Sequence, residues 1–289
     1  MTMTAILLAL AAAAAWAAGM TLAKPALRHV DPLSYVRIRW VFVGVLALIY
    51  ELVTGALRFP GWTPLGFAAL AGFVDAAGGG LFYVLAIERS SAYETTTLSS
   101  TAPLWGVAAS VLFLGEPARW SAFLAAGLVV AGAFLLVHEP KGVRRSTLTG
   151  PAFALVAGLL WGLAETVPSK LALEGGISPA LLLLVFSATT VGSVSLVTPC
   201  LRSRIPRKMT RTGLAYILAS AGVGAFLGWL LWLSALERAP ASLISPVRGS
   251  TLLFAFAYSV LFLREQPRRT AFLGTGLVFA GILAVSLLA

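Results

Sequence analysis

The sequence predicts an all-α membrane protein: ten transmembrane helices arranged as two inverted five-helix repeats. Three observations predict it. Of 289 residues, 59% are hydrophobic and only 11% charged, against roughly 45–50% and 25% in soluble proteins. Apolar windows of about 20 residues recur along the chain, each long enough to cross a ~30 Å hydrocarbon core as a helix. The segment "SVLFLGEPARWSAFLAAGLVVAG", beginning at Ser110, returns as "SVLFLREQPRRTAFLGTGLVFAG" at Ser259, 149 positions later. Only helices and closed barrels pair every backbone N–H and C=O inside lipid. The windows are continuous Leu/Ala/Val/Phe runs without period-2 alternation, so helices are expected.

The spans fall at 4–22, 33–53, 65–87, 92–114, 120–138, 150–169, 179–200, 213–235, 241–263 and 270–288. The first, "MTMTAILLALAAAAAWAAGM", has the small residues of a secretory leader but no basic n-region, and reads as a span. Arg37 and Arg39 stand near the start of the second, and Asp75 sits mid-span in the third, "GFVDAAGGGLFYVL". The fourth opens on the hydroxyl-rich "SAYETTTLSST", and the fifth follows the turn that holds Arg119. The sixth carries "LLWGLAETVPSK", in which Pro168 is expected to unwind the helix end. Gly158 and Gly162 in the sixth span, and Gly224 and Gly228 in the eighth, form GxxxG patterns for close packing. The seventh begins at Pro179, the ninth holds Pro246 and Arg248, and the tenth repeats the fifth. The connectors, such as "KPALRHVDP" and "TGALRFPGWTP", are too short for an extramembrane domain.

At an offset of 149, Glu88-Arg89 falls on Glu237-Arg238, Glu116 on Glu265, and Gly127 and Gly132 on Gly276 and Gly281. Earlier in each half the match slips by a few residues: Trp16 corresponds to Trp161, Lys24 to Lys170, and Asp31-Pro32 to Ser178-Pro179. The units are therefore 1–138 and 150–289, joined by a connector at 139–149. Five spans per unit is odd, so the second copy enters the membrane upside down. Charge agrees. Connector 54–64 holds one basic residue, Arg58, whereas its counterpart holds Arg202, Arg204, Arg207, Lys208 and Arg211. Arg119 is matched by Arg264, Arg268 and Arg269. The positive-inside bias puts connectors 23–32, 139–149, 201–212 and 264–269 in the cytoplasm and both termini outside. Inverted repeats are a transporter device, with a substrate site near the midplane between the halves.

Three stretches carry a family resemblance. "DPLSYVRIRW" has a proline followed seven residues later by an arginine, Pro32 and Arg39. "AIERSSAYETTTLSSTAPLWGVAASVLFLGEP" closes on Gly115-Glu116, and "ALERAPASLISPVRGSTLLFAFAYSVLFLRE" ends on Glu265. The chain resembles the drug/metabolite transporter superfamily, specifically the EamA-type exporters. The resemblance implies a ten-helix secondary carrier that exports amino acids or other small metabolites. It also implies cytoplasmic termini, against the charge count. Two departures stand out: Arg264 replaces the glycine before Glu265, and span seven has no arginine matching Arg39.

The net charge of +10 sits in the connectors, so no nucleic-acid partner is expected. A single cysteine, Cys200, allows no internal disulfide or CxxC site, and the two histidines, His29 and His138, lie in separate connectors. There is no HExxH, GxSxG or P-loop, so neither an intramembrane enzyme nor a metal or cofactor is expected. The expected partners are a small-molecule substrate, protons and the lipid bilayer, for a monomer or homodimer in the cell membrane (the inner membrane, for a bacterial protein). The rival reading is a flippase for lipids or lipid-linked sugars.

Ionisable groups inside spans cost roughly 2.5–3.5 kcal/mol each at the helix centre, so they mark candidate function. Asp75 continues along one face through Gly78 and Gly79 to Phe82, a carboxylate overlooking a groove without side chains. It is a candidate cation or proton site, against the alternative of an acid paired with an arginine. Glu165 lies one turn after Trp161, where charge and cation–π attraction suit an organic ammonium; the alternative is an interfacial contact with Lys170. Arg248 needs an anion, from a protein acid or from substrate. Trp16, Tyr83, Trp105, Trp161 and Trp229 are expected to wall the cavity, against a reading as packing bulk. The repeat pairs Trp16 with Trp161 and Tyr83 with Trp232. Arg39 and Glu94 are gating or structural candidates, Arg37 is expected to reach the interface, and Glu88, Glu116, Glu237 and Glu265 read as solvated or capping groups.

Overall fold

A computed structural model of the chain describes residues 2–89, 92–136, 149–197, 209–263 and 269–288. Every element among them is a helix. The first half holds α1 (Thr2–Ala26), α2 (Pro32–Thr54), α3 (Trp62–Gly72), a π-helical segment (Phe73–Gly80), α4 (Leu81–Arg89), α5 (Ala92–Ser99), α6 (Ala102–Leu114) and α7 (Trp120–Leu136). The second holds α8 (Thr149–Glu174), α9 (Pro179–Val197), α10 (Arg211–Ala219), a second π-helical segment (Ser220–Leu227), α11 (Gly228–Arg238), α12 (Ala241–Arg248), α13 (Ser250–Leu263) and α14 (Arg269–Leu288). The order is the same in both: two long helices, a helix interrupted by π geometry, a broken helix and a final helix. The connector 139–149, apart from Thr149, lies outside the described residues, as do His138, Cys200, Arg202, Arg204, Arg207, Lys208, Arg264, Glu265 and Arg268.

Local chemistry sets the helix ends. Asp31 caps α2 by accepting from Ser34 N–H at 2.9 Å, Pro32 occupies the first turn, and Gly55 closes the helix at φ 64°. Thr210 caps α10 by accepting from Gly213 N–H at 3.0 Å. The fourth span bends at Ser100–Thr101, ahead of Pro103, and the ninth at Gly249, after Pro246; Ser100 and Gly249 are equivalent at the 149-residue offset.

The unwinding expected at Pro168 does not occur: α8 runs on to Glu174. Pro168 has no N–H for the Ala164 carbonyl, but Ser169 Oγ donates to that oxygen at 2.8 Å and keeps the turn satisfied.

Five described helices are long and apolar enough to cross a membrane: Met3–Ala23, Trp62–Tyr83, Thr149–Glu174, Pro179–Leu196 and Arg211–Arg238. Three of the other expected crossings fall short for visible reasons, and the fifth and tenth are described as shorter apolar helices, Trp120–Leu135 and Phe272–Ala284. α2 carries Arg37, Arg39 and Glu51, while the fourth and ninth are broken into short pieces.

The halves interdigitate. α1 packs among α10 to α13 of the second half, and α8 among α3 to α6 of the first. α2 pairs with α9, Glu51 meeting Ser178 and Gly44 meeting Ser187, so these two helices run antiparallel. α7 and α14 are antiparallel too: Gly132 lies on Gly274 and Val278, and Gly281 on Ala125 and Val129. The largest fully buried side chains, among them Trp232, Phe186 and Leu236, fill the seam around α1, α9 and α11.

Candidate functional site

A cavity of about 370 Å³ lies between the halves, lined from α1, α2, the first π segment, α8, α9, α11 and the α12–α13 bend. It takes in the C-terminal half of α1 (Gly19, Met20, Ala23), the start of α2 (Tyr35, Val36, Arg39) and the late part of α9 (Ser193, Val194). It therefore runs from the middle of the bundle toward the end that holds the 27–31 turn. The opposite end is tied shut. Glu116, just past α6, accepts from the N–H groups of Ala241 (2.7 Å) and Ser242 (2.8 Å) and from Ser242 Oγ at the first turn of α12. Lys170 Nζ donates to the carbonyls of Leu236 (2.5 Å) and Ala239 (3.2 Å) at the end of α11. Ser178, which caps α9, donates to the buried carboxyl of Glu51.

Four charged side chains line the cavity: Arg39, Asp75, Glu165 and Arg248. Glu165, only 4% exposed, binds Arg248 in a two-pronged ion pair through Nε–H and, at 2.7 Å, Nη2–H. The guanidinium also lies 5.9 Å from the centre of the Trp16 ring, within cation–π range. Asp75 projects from the π segment within electrostatic reach of Glu165, Arg248 and Arg39. One extra residue per turn there widens the backbone and re-aims the side chain. The second π segment supplies Ser220, whose hydroxyl donates to the Gly19 carbonyl at 3.0 Å and meets Tyr35 Oη at 2.7 Å.

The aromatic wall is built twice. Trp16 packs on Trp232 with centroids 5.4 Å apart, and Trp161 on Tyr83 at 5.1 Å, which are repeat-equivalent pairs. Each indole lies on a matching glycine where a Cβ would collide, Trp16 on Gly228 and Trp161 on Gly79. The other sequence-predicted glycines also mark close approaches: Gly158 to Ser99 and Thr101, Gly162 to Ala102 and Gly106, and Gly224 to Gly19.

Of the residues the sequence singles out, Trp16, Arg39, Asp75, Trp161, Glu165, Trp229 and Arg248 converge on the cavity. Tyr83 stands behind Trp161 with its hydroxyl 3.3 Å from Thr96 Oγ1. Trp105 is 38% exposed, donating to Thr101 Oγ1 at 3.1 Å, and does not line the cavity. The side chains of Glu88 and Glu94 lie outside the described residues. Lys170 turns to α11 and Glu174, not to Glu165. Sequence reasoning passes over Tyr35, Ser220 and Thr251, hydroxyl residues in apolar spans, and Glu51, which no motif marks.

An EamA-like transporter family model matches residues 3–138 and again 148–287. The chain belongs to the EamA-like transporter family. It is thus a multi-pass membrane protein of the cell membrane, and a transporter by family. The EamA-like chain is 26% identical, over 282 residues, to an uncharacterized transporter, YwfM, of Bacillus subtilis (strain 168); the match covers 97% of this chain and 93% of that one. A solved structure described only as the crystal structure of a protein superposes with a TM-score of 0.83 at 16% identity, covering 100% of this transporter and 98% of that chain. That likeness concerns the fold alone.

Proposed function

We propose that this EamA-like protein is a ten-helix secondary active transporter whose halves, 1–138 and 150–289, are inverted repeats that rock around the central cavity. Antiparallel packing of the equivalent pairs α2/α9 and α7/α14 supports the inversion. The substrate is a small metabolite such as an amino acid or organic amine. One observation carries this reading: acid and base side chains from both halves, with paired indoles, face one cavity of small-molecule size. Asp75 is the group for a substrate cation or a coupled proton. Glu165 and Arg248 fix the floor, and the tryptophans supply apolar and cation–π contact.

Charge supports a cytoplasm-facing cavity. The cavity extends toward the end of the 27–31 turn; in a ten-span alternation this is the side of connectors 23–32, 139–149, 201–212 and 264–269, which the positive-inside bias assigns to the cytoplasm. A cavity open to the cytoplasm and tied at Glu116, Lys170 and Glu51 matches the loading state of a carrier working outward, and the export direction itself rests on the family resemblance.

The test is counterflow of labelled amino acids and amines in proteoliposomes, with and without a pH gradient. Asp75→Asn and Glu165→Gln should each lower transport. Unchanged rates and unchanged gradient dependence in both variants remove these residues from the mechanism. Single cysteines introduced at Arg58 and at Arg211, in a Cys200→Ser background, should label from opposite sides; labelling from one side refutes the inversion.

A further inference from the structure

Away from the cavity floor, the two repeats build one corner twice and charge it differently. At one end of the bundle the α1–α2 turn lies on the start of α10, where a Cβ on Gly213 would collide with His29 Cβ. At the other end the α8–α9 turn lies on the start of α3, where a Cβ on Gly175 would collide with the Pro64 ring. The places are equivalent: His29 falls on Gly175 when Lys24 is set on Lys170, and Gly213 falls on Pro64 at the 149-residue offset. The packing is kept and the charge is not. By the same alignments Arg28 falls on Glu174 and Arg211 on Trp62. Glu174 lies 3.9 Å from Lys170, and Trp62 is 81% exposed, as suits an aromatic anchor at the membrane interface.

The basic corner is a fixed platform. The N–H groups of Leu27, Arg28 and His29 donate to the carbonyls of Ala23 (3.0 Å), Pro25 (3.2 Å) and Ala26 (2.9 Å), and the turn sits on a small core of Ala26, Val30, Tyr35 and Ile217. Asp31, the acid on this turn, accepts from Ser34 N–H as the cap of α2. Arg28 and Arg211 stand one and two residues from the His29–Gly213 joint, and both are exposed. Among the described residues neither makes an ion pair or a side-chain hydrogen bond. Other exposed arginines are engaged: Arg89 bonds the Leu85 carbonyl and lies over the Phe153 ring, and Arg238 bonds the Ser234 carbonyl and pairs with Glu237.

Packing therefore does not explain the two guanidiniums, because the equivalent corner folds without them. The corner stands just beyond the ends of three apolar spans, 4–22, 33–53 and 213–235, which is headgroup depth. The positive-inside bias assigns this end to the cytoplasm, whose leaflet carries anionic headgroups. A guanidinium fork matches phosphate oxygens in pairs. Met209, next to the α10 cap and 52% exposed, offers apolar surface beside Arg211.

We propose that this corner binds the phosphate headgroup of an anionic phospholipid, held between Arg28 and Arg211. A lipid there ties the α1–α2 turn to α10 at the rim of the cavity mouth, where Ala23, Tyr35 and Val36 line the opening. The site does not depend on what the cavity carries.

Native mass spectrometry of the full chain in detergent, titrated with phosphatidylglycerol or with phosphatidylcholine of the same acyl chains, gives the affinity for each lipid. A basic residue near an anionic headgroup is worth about fivefold in binding, so two should favour phosphatidylglycerol by about 25-fold. Arg28→Gln and Arg211→Gln should each weaken phosphatidylglycerol about fivefold and leave phosphatidylcholine unchanged. Together they should erase the preference. Arg28→Lys/Arg211→Lys preserves the connector charge that sets topology and should retain most of it. Arg58→Gln, at the single basic residue of connector 54–64, should change nothing.

Equal affinity for the two lipids overturns the proposal, and so does a preference that survives both glutamine substitutions. Loss of the preference on Arg58→Gln overturns it too, since net charge would then be the cause. Inorganic phosphate competing at the concentrations at which phosphatidylglycerol binds would mark a soluble-anion site and overturn the lipid assignment. Circular dichroism and a single melting transition check each fold, and the single variants carry the test if the double one does not fold.

Discussion

Replacing Arg248 with leucine removes one partner of a buried pair and strands the other. Glu165 is 4% exposed and holds two hydrogen bonds from Arg248, while its backbone carbonyl accepts from Trp232 Nε1 at 3.0 Å, so it is fixed in place and meets the cavity only along a narrow edge. Breaking a buried ion pair from one side costs about 3–5 kcal/mol, because the remaining charge is left unmatched. At about 2–4 °C per kcal/mol for a chain of this order of size, Arg248→Leu should melt on the order of 10 °C lower. The double variant Glu165→Leu/Arg248→Leu removes both charges and keeps the volume. It should recover to within about 1–2 kcal/mol of the parent, since an apolar pair in place of a buried salt bridge is often neutral. The assay is fluorescence-monitored melting in detergent, read as a double-mutant cycle. An Arg248→Leu single variant within about 2 °C of the parent would refute the reasoning, for the pair would then carry no net burial energy. Transport by the recovered double variant then separates a structural pair from a working one.

Three further outcomes are expected. Gly132→Val should destabilise by about 1–3 kcal/mol through overpacking, because its Cβ would meet the Gly274 carbonyl and Val278, whereas Gly127→Val, with open space around it, should melt like the parent. Glu116→Ala removes the carboxylate that caps α12, at a cost of about 0.5–2 kcal/mol; cysteine accessibility should rise at residues near Ala241 and fall at the 27–31 end, and unchanged labelling at both ends would show that the contact does not hold the state. Ser169→Ala leaves the Ala164 carbonyl without a donor opposite Pro168 and should cost about 1 kcal/mol in melting experiments, with Ser187→Ala, whose hydroxyl bonds a carbonyl already in a regular helical turn, as the milder control.

The helical class and the two-unit order are legible because they rest on composition and on long windows, where each misplaced residue weighs little. The convergence of Trp16, Asp75, Trp161, Glu165, Trp229 and Arg248 is legible for a different reason: charge and indole deep in a span are expensive or conspicuous, and few places can hold them. What stays hidden is what depends on a neighbour. Glu116 reads as a solvated or capping end group, and the helix it caps is identified only when α12 is brought beneath it. Pro168 reads as a helix breaker because the rescuing hydroxyl of Ser169 competes with other uses that only the fold excludes. Trp105 reads like the other tryptophans, and only packing turns it outward while Trp16 turns in. The π segments leave a trace in "FVDAAGGG" and "SAGVGAFL", but small residues there also fit plain close packing, so the register shift that re-aims Asp75 has no signature of its own.

The scaffold is duplicated and its chemistry is not. Trp16 with Gly228 mirrors Trp161 with Gly79, and the Trp16–Trp232 stack mirrors Trp161–Tyr83. At the positions of the four cavity charges the symmetry fails. With Trp16 set on Trp161, Glu165 falls on Met20; at the 149-residue offset Arg248 falls on Ser99. With the π segments aligned Asp75 falls on Gly222, and with Asp31 set on Ser178 Arg39 falls on Phe186. A pair of matched halves gives two conformations of similar energy, since what one half does at one face the other can do at the opposite face, and a carrier needs that balance to move between them. Matched charges would serve it badly. A cavity with a pseudo-two-fold charge pattern would accept a small asymmetric ligand in two orientations and hold each with half the available contacts. Confining Asp75, Arg39 and the Glu165–Arg248 pair to one arrangement fixes a single orientation while the walls stay symmetric. The mechanical and chemical roles are thereby separable by mutation: changes at the glycine–indole contacts should alter the balance between states, and changes at the charges should alter which ligand is carried.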